Sequence, residues 1–195
     1  ATSATIVTCP NDTETYTGSP IAPCFASVTG AGDLNLIPTP EYTANTNTGL
    51  VTASYTYPGD ANHTDSTGSD TFTIVSADAT VVLSDLSYTY DGTPKSATVT
   101  TTPGGLTVDV TYDGSAIAPT DAGIYAVIAT ITDTNYSGST SDSLVIAKAD
   151  TTTVVACPNP AEIYTGSEIV PPCTATVTGA GGLDESVAVT YENNR

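Results

Sequence analysis

The sequence predicts an all-β protein made of small antiparallel β-sandwich modules in tandem. Three observations carry that prediction. Thr, Val, Ile and Tyr recur along the whole chain, and such side chains fit a pleated, half-buried surface. Helix formers such as Lys, Arg, Gln and Met are scarce or absent: Met and Gln do not occur and Lys plus Arg total 3. Long stretches of the chain also repeat, the signature of an array of similar units.

The repeats set the domain plan. Residues 7–18, VTCPNDTETYTG, return at 155–166 as VACPNPAEIYTG. Cys24-Phe25-Ala26-Ser27-Val28-Thr29-Gly30-Ala31-Gly32 returns as Cys173-Thr174-Ala175-Thr176-Val177-Thr178-Gly179-Ala180-Gly181, and Tyr42 falls on Tyr191. The offset is 148 before the second cysteine and 149 after it, one inserted residue. A more divergent copy lies between, where Tyr90-Asp91-Gly92-Thr93-Pro94 matches Tyr16-Thr17-Gly18-Ser19-Pro20 and Tyr112 matches Tyr42. FTIVSAD at 72–78 and LVIAKAD at 144–150 mark the ends of two modules. The expected modules are therefore 1–77, 78–149 and 150–195, the last an incomplete first part that reaches the counterpart of Thr46. The chain reads as a window on a longer array.

Within a module the strands are marked by pattern. Leu106 to Tyr112 alternates apolar and polar residues, which buries one face and solvates the other. Ile124 to Ile131 is a longer apolar strand, and Gly30-Ala31-Gly32, Pro58-Gly59-Asp60, Pro103-Gly104-Gly105 and Asp113-Gly114 read as turns. Six or seven short strands in about 75 residues fit a small antiparallel sandwich. Ser76-Ala77-Asp78-Ala79 and Ala147-Lys148-Ala149-Asp150 are the only links between modules, and neither holds Gly or Pro. Links this short cannot act as flexible coil, so the expected arrangement is an extended rod.

Charge narrows the partners. Asp plus Glu total 21, giving a formal net charge of -18. Such a chain has nothing with which to displace counterions from nucleic acid or anionic lipid, so no nucleic-acid partner is expected. No apolar run approaches the roughly 18 residues of a membrane helix, so no membrane insertion is expected of this segment. There is no initiator Met and no basic-plus-apolar leader, and the first residues already read as a strand; the expectation is a mature product or a fragment.

The strings YTYDGTPKSATVTTTPGGLTVDVTY, DAGIYAVIATITDTNYSGS and LVIAKA resemble the bacterial Ig-like repeat called the MBG domain. The cysteine-bearing stretches, with YTG…PC…VTGAGGL and GDANH, resemble related Ig-like repeats found beside it in large bacterial surface proteins. The resemblance implies Ig-like sandwiches in long secreted or surface-attached proteins, and it carries over no catalytic residue.

Four cysteines allow three pairings. Cys9 with Cys24 and Cys157 with Cys173 is the simplest, because each pair recurs at one place in a repeat. The middle module has Leu83 and Thr98 at those places, losing both partners together as a disulfide requires. Disulfides place the chain in an oxidising compartment, extracellular or at the cell surface. Metal binding by two Cys without nearby His is the rival reading.

Catalytic signals are missing. His63 is the only histidine; a general base needs a partner in reach, and a lone histidine in a turn reads as structural or solvated. None of the G-x-S-x-G, H-E-x-x-H or phosphate-loop patterns occurs. Without Gln, thioester and Thr–Gln ester crosslinks cannot form, and an isopeptide bond would have to use Lys95 or Lys148. Carboxylate neighbours such as Asp12/Glu14 and Asp184/Glu185 read as solvated charges. No cofactor is expected; calcium comes nearest, through the hard oxygen donors Asp60, Asn62, Asp65 and Asp70 in one loop, with Asp78 and Asp150 at the junctions. The sequons at Asn11, Asn62 and Asn135 are what a Thr-rich chain produces by chance.

The function expected is structural: a segment of a surface stalk, adhesin or filament, not an enzyme. Its partners would be neighbouring modules or copies of itself, joined by filament contacts or strand complementation. The alternatives are a carbohydrate- or ligand-binding module and a spacer attached to an enzyme elsewhere. Tyr16/Tyr90/Tyr164 and Tyr42/Tyr112/Tyr191 recur at equivalent places, which points to packing rather than to a sugar platform.

Overall fold

The structure, a computed structural model, describes residues 1–158, 163, 166–169 and 172–192. These group into two compact units: residues 1–81 with 101–109 and 130–139, and residues 82–100, 110–129 and 140–195. The units cut across the sequence repeats, because parts of the second repeat pack with the first.

The first repeat forms β1 (Ser3–Thr8), β2 (Thr13–Thr15), β3 (Phe25–Gly30), β4 (Asn35–Leu36), β5 (Glu41–Thr43), β6 (Gly49–Tyr57) and β7 (Ser66–Val75). They make two sheets, in the orders β1-β3-β4 and β2-β7-β6-β5. Alternation decides what lies between them. β7 turns Phe72 and Ile74 inward and β6 turns Val51 and Ala53 inward, against Val7 of β1 and Ala26 of β3. Full burial of each large apolar side chain is worth about 1.5–3 kcal/mol. The result is a β-sandwich.

The second repeat follows the same plan. After β8 (Ala77–Asp78) come β9 (Thr80–Ser84), β10 (Ser87–Thr89), β11 (Thr98–Thr102), β12 (Val108–Tyr112), β13 (Gly123–Ile131), β14 (Tyr136–Ser137) and β15 (Ser139–Ala147). One sheet runs β10-β15-β13-β12, and β9 pairs with β11. Tyr112, Val127, Leu144 and Ile146 are buried between them, with Leu83, Leu86 and Val110 packed on this core. The third repeat contributes β16 (Thr151–Ala156), β17 (Thr174–Gly179) and β18 (Leu183–Val187), in the order β16-β17-β18.

Two strands expected from alternation are present, as β12 and β13. The short edge strands depart from a purely antiparallel plan. β2 runs parallel to β7, β10 parallel to β15 and β14 parallel to β8. After β1 the chain joins the opposite sheet without an intervening hairpin, which brings β2 alongside β7 in the same direction. The Y-x-G turn after this edge recurs with Gly18, Gly92 and Gly166 at φ 78°, 82° and 81°. These are left-handed conformations that a side chain strains, which explains the same glycine at the same place in all three repeats.

Candidate functional site

Consecutive repeats of this chain contact one another. One such contact lies within the first compact unit. Ala77 and Asp78, expected as linker, form β8 because β14 pairs with them, Tyr136 opposite Ala77 and Ser137 opposite Asp78. Ala77 N–H donates to the Asn135 carbonyl at 3.0 Å and Ala79 N–H to that of Ser137 at 2.8 Å.

Asn135 is the centre of this clasp. An Asx turn aims it: its N–H donates to Asp133 Oδ1 at 2.8 Å. Its Oδ1 accepts from Thr48 N–H at 3.0 Å and from Thr48 Oγ1 at 3.3 Å, while its Nδ2 donates to Asn47 Oδ1 at 3.2 Å. Thr48 Oγ1 also donates to the Thr134 carbonyl at 2.9 Å. Beside it, the Tyr136 ring meets Tyr16 edge-on, with centroids 5.3 Å apart at 83°. Each net hydrogen bond is worth about 0.5–1.5 kcal/mol and the aromatic pair about as much again. Sequence reasoning took Asn135 for a chance sequon. Its signal was Asp-x-Asn at 60–62 recurring at 133–135, 73 residues on.

The cysteines and the recurrent tyrosines form a second repeated device. Cys9 is bonded to Cys24 and Cys157 to Cys173, with Cα atoms 4.1 and 4.2 Å apart. Tyr42 Oη accepts from Cys24 N–H at 2.9 Å and donates to the Cys24 carbonyl at 3.0 Å. Tyr191 Oη accepts from Cys173 N–H at 3.3 Å. In the second repeat, Tyr112 Oη accepts from Ala97 N–H at 2.9 Å. Ala97, rather than the expected Thr98, therefore stands in the place of Cys24; the tyrosine bond reveals a one-residue shift that sequence matching missed. Ala97 and Leu83 pack on the second core, supplying apolar contact where the first repeat has its disulfide. Tyr16 and Tyr90 also pack against their cores, and Tyr164 lies outside the described residues.

The candidate calcium ligands do not share one loop. Asp70 lies on β7, where its carboxylate accepts from Cys9 N–H at 2.9 Å and Thr71 N–H at 2.8 Å. Asp60 accepts from the N–H groups of Asn62 and His63, both at 2.7 Å, and from Tyr57 Oη at 2.8 Å. Among the described residues no group of three or more His, Cys, Asp or Glu is placed to hold a metal ion.

His63 is fixed in the same turn. Its Nδ1 lies 2.9 Å from Asp60 Oδ1 and its Nε2 lies 2.7 Å from the Ala31 carbonyl. Both partners are acceptors, so the ring is held best with a proton on each nitrogen. Glycine at 30 gives it room, since a β-carbon there would lie 3.2 Å from His63 Cδ2 and 3.0 Å from Leu34 Cδ2. The Ala31 carbonyl and then Asp60 raise the His63 pKa above its ordinary 6.5. The Asn62 N–H and then the Tyr57 hydroxyl hold Asp60 well below its ordinary 3.8. The raised His63 stabilises the turn fully below pH 6.5 and ceases to do so as pH rises through its folded pKa. The depressed Asp60 stabilises it above pH 3.8 and ceases to as pH falls through its own. The turn is thus firmest between those ordinary values. NMR titration should place the His63 midpoint above 6.5, and Asp60→Asn should lower it; a wild-type midpoint below 6.5 would contradict this geometry.

Of the two lysines, Lys95 is ion-paired. Lys95 Nζ donates to Asp91 at 2.5 Å and to Thr93 Oγ1 at 3.0 Å across a turn, 5.6 Å from the Tyr88 ring centroid. Lys148 lines an open cavity in the second unit, with Tyr90, Asp121 and Gly181. No helix among the described residues is long and apolar enough to cross a membrane.

No curated protein and no solved structure matches the chain. A family model does: residues 79–150 match the MBG domain, a non-catalytic repeat family. The match falls on the second repeat, the one with the core of Tyr112, Val127, Leu144 and Ile146.

Proposed function

We propose that this chain is a structural, non-enzymatic segment of an extracellular bacterial surface stalk, adhesin or filament, whose repeats follow one another as a stiff rod. The observation that carries the reading is the Asn135 clasp. It joins β14 to β8 and ties Asn135 and Tyr136 to Thr48 and Tyr16, so consecutive repeats are bonded through side chains as well as through the chain. A link held this way transmits force and bending instead of swivelling. The MBG domain supports a surface repeat protein, and the two disulfides suit an oxidising exterior. The high negative charge keeps such a rod solvated.

Small-angle scattering tests it. Strands of about 7–9 residues at roughly 3.3 Å each give modules about 30–40 Å long with their turns, so the chain should extend about 80–100 Å. A compact sphere of this length would have a radius of gyration near 16 Å, and the wild type should clearly exceed that. The double variant Asn135→Ala, Tyr136→Ala should keep its folded repeats but show a broader spread of shapes. A compact wild-type profile, or a variant as stiff as the wild type, would overturn the reading.

A further inference from the structure

The third repeat exposes an apolar side chain, Val155, whose counterpart in the first repeat is covered. Val155 occupies the position of Val7, in the same register: Val7 opposes Ala26 and Val155 opposes Ala175. Val7 is 7% exposed under Phe72 and Ile74, whereas Val155 is 56% exposed. Their outward neighbours Ile6 and Val154 are exposed alike, 58% and 54%. The difference is therefore confined to the face that the β6–β7 hairpin covers in the first repeat.

A cavity borders the start of the same strand, at Thr151. The first two repeats each begin beside the loop of their own hairpin. Ala1 N donates to the Asn62 carbonyl and Thr64 N–H to that of Ala1, just as Ala77 N–H donates to the Asn135 carbonyl. The loops read Asp60-Ala61-Asn62-His63-Thr64 and Asp133-Thr134-Asn135-Tyr136-Ser137. At the start of the third repeat, Ala149 and Asp150 match Ala77 and Asp78 but form no strand, and they border an open cavity of about 500 Å³. Tyr90, Asp121 and Ala122 line it. Counting back from the glycines that open β13 and β6, these match Tyr16, Asn47 and Thr48, the groups that Tyr136 and Asn135 grip.

We infer that the Val155 face and this cavity are one docking surface for a β-hairpin of a repeat of this same type. The hairpin's alternating apolar residues cover Val155, whose cross-strand partner Ala175 is already buried. Its Asp-x-Asn-(Tyr/His)-(Ser/Thr) loop enters the cavity and adds a short parallel strand to Ala149–Thr151. Lys148 replaces Ser76 at the rim, so the socket also favours an acidic residue near the loop's end, as Asp65 is in the first repeat. This rests on the repeat architecture and is independent of the stalk role, whose scattering test concerns the link between the first two repeats.

Two arms test the inference by amide hydrogen exchange at residues 149–156. In one, a synthetic peptide of residues 49–75 is added to the 195-residue chain; in the other, residues 47–75 are appended after residue 195, the register that the repeats specify. Either should slow exchange at Thr151–Ala156 by about tenfold or more, as expected where an open edge becomes paired and covered. Val155→Asp, or Phe72→Asp with Ile74→Asp in the donated hairpin, should abolish the protection. The peptide arm needs a soluble peptide; the fusion arm does not. Unchanged exchange in the fusion would overturn the inference. So would a chain that dimerises by itself with residues 151–156 already protected, since a second copy of the sheet would then be the occupant.

Discussion

Replacing Cys9 and Cys24 together by alanine should destabilise the first repeat by about 3 kcal/mol, the chain-entropy value for a loop of about 15 residues. The cysteines stand 15 apart and bridge the end of β1 to the start of β3. Small domains have total stabilities of about 5–15 kcal/mol, so the loss is a large share. Urea denaturation with and without reductant should show it as a lower midpoint for the first repeat. The second repeat is an internal control, since Leu83 and Ala97 replace the bond by packing and reductant has nothing there to cleave. The mechanical consequence is separate and larger. Under load the oxidised first repeat cannot pay out the segment between its cysteines. Reduction should lengthen its unfolding step by roughly 50 Å, at about 3.3–3.6 Å per residue. Equal midpoints and equal step lengths in both redox states would show that the bond bears no load.

Much of this architecture is legible in the sequence, for a physical reason. Alternation such as that of Val108 to Tyr112 reports burial directly, because a strand that buries one face must place apolar residues at every second position. The cysteine pairing is legible because two repeats carry it and one has lost both members. What escaped is non-local and brief. β14 and β8 each span two residues and pair across about sixty positions, too short for any periodicity. Asn135 looks like a surface sequon until Thr48 is beside it. The acidic residues around Asp60 read as cation ligands in the sequence, which does not show the backbone donors facing them. The N–H groups of Asn62, His63, Cys9 and Thr71 take up the carboxylates of Asp60 and Asp70.

Phe72 is the other position where a single change should have a large effect. It is 1% exposed and packs with Val7, Cys24, Ala26 and Ile74 between the two sheets of the first repeat. Phe72→Ala should cost about 3–5 kcal/mol, the transfer of the ring plus the void that β-sheets on either side cannot close. Phe72→Leu should cost far less, about 1 kcal/mol, as hydrophobic swaps of similar size do. The chain itself makes that substitution: Leu144 holds the equivalent place in β15, is 0% exposed, and anchors the second core. Equilibrium unfolding followed by tyrosine fluorescence measures both variants, with an unchanged denaturant slope marking a pure stability effect. In Phe72→Ala, amide exchange along β1 should also quicken towards that of Thr151–Ala156, because Val7 would lose the cover that Val155 lacks. A cost under about 1 kcal/mol for Phe72→Ala would mean that β7 does not close this core, and the case for a hairpin on the third repeat would fall with it.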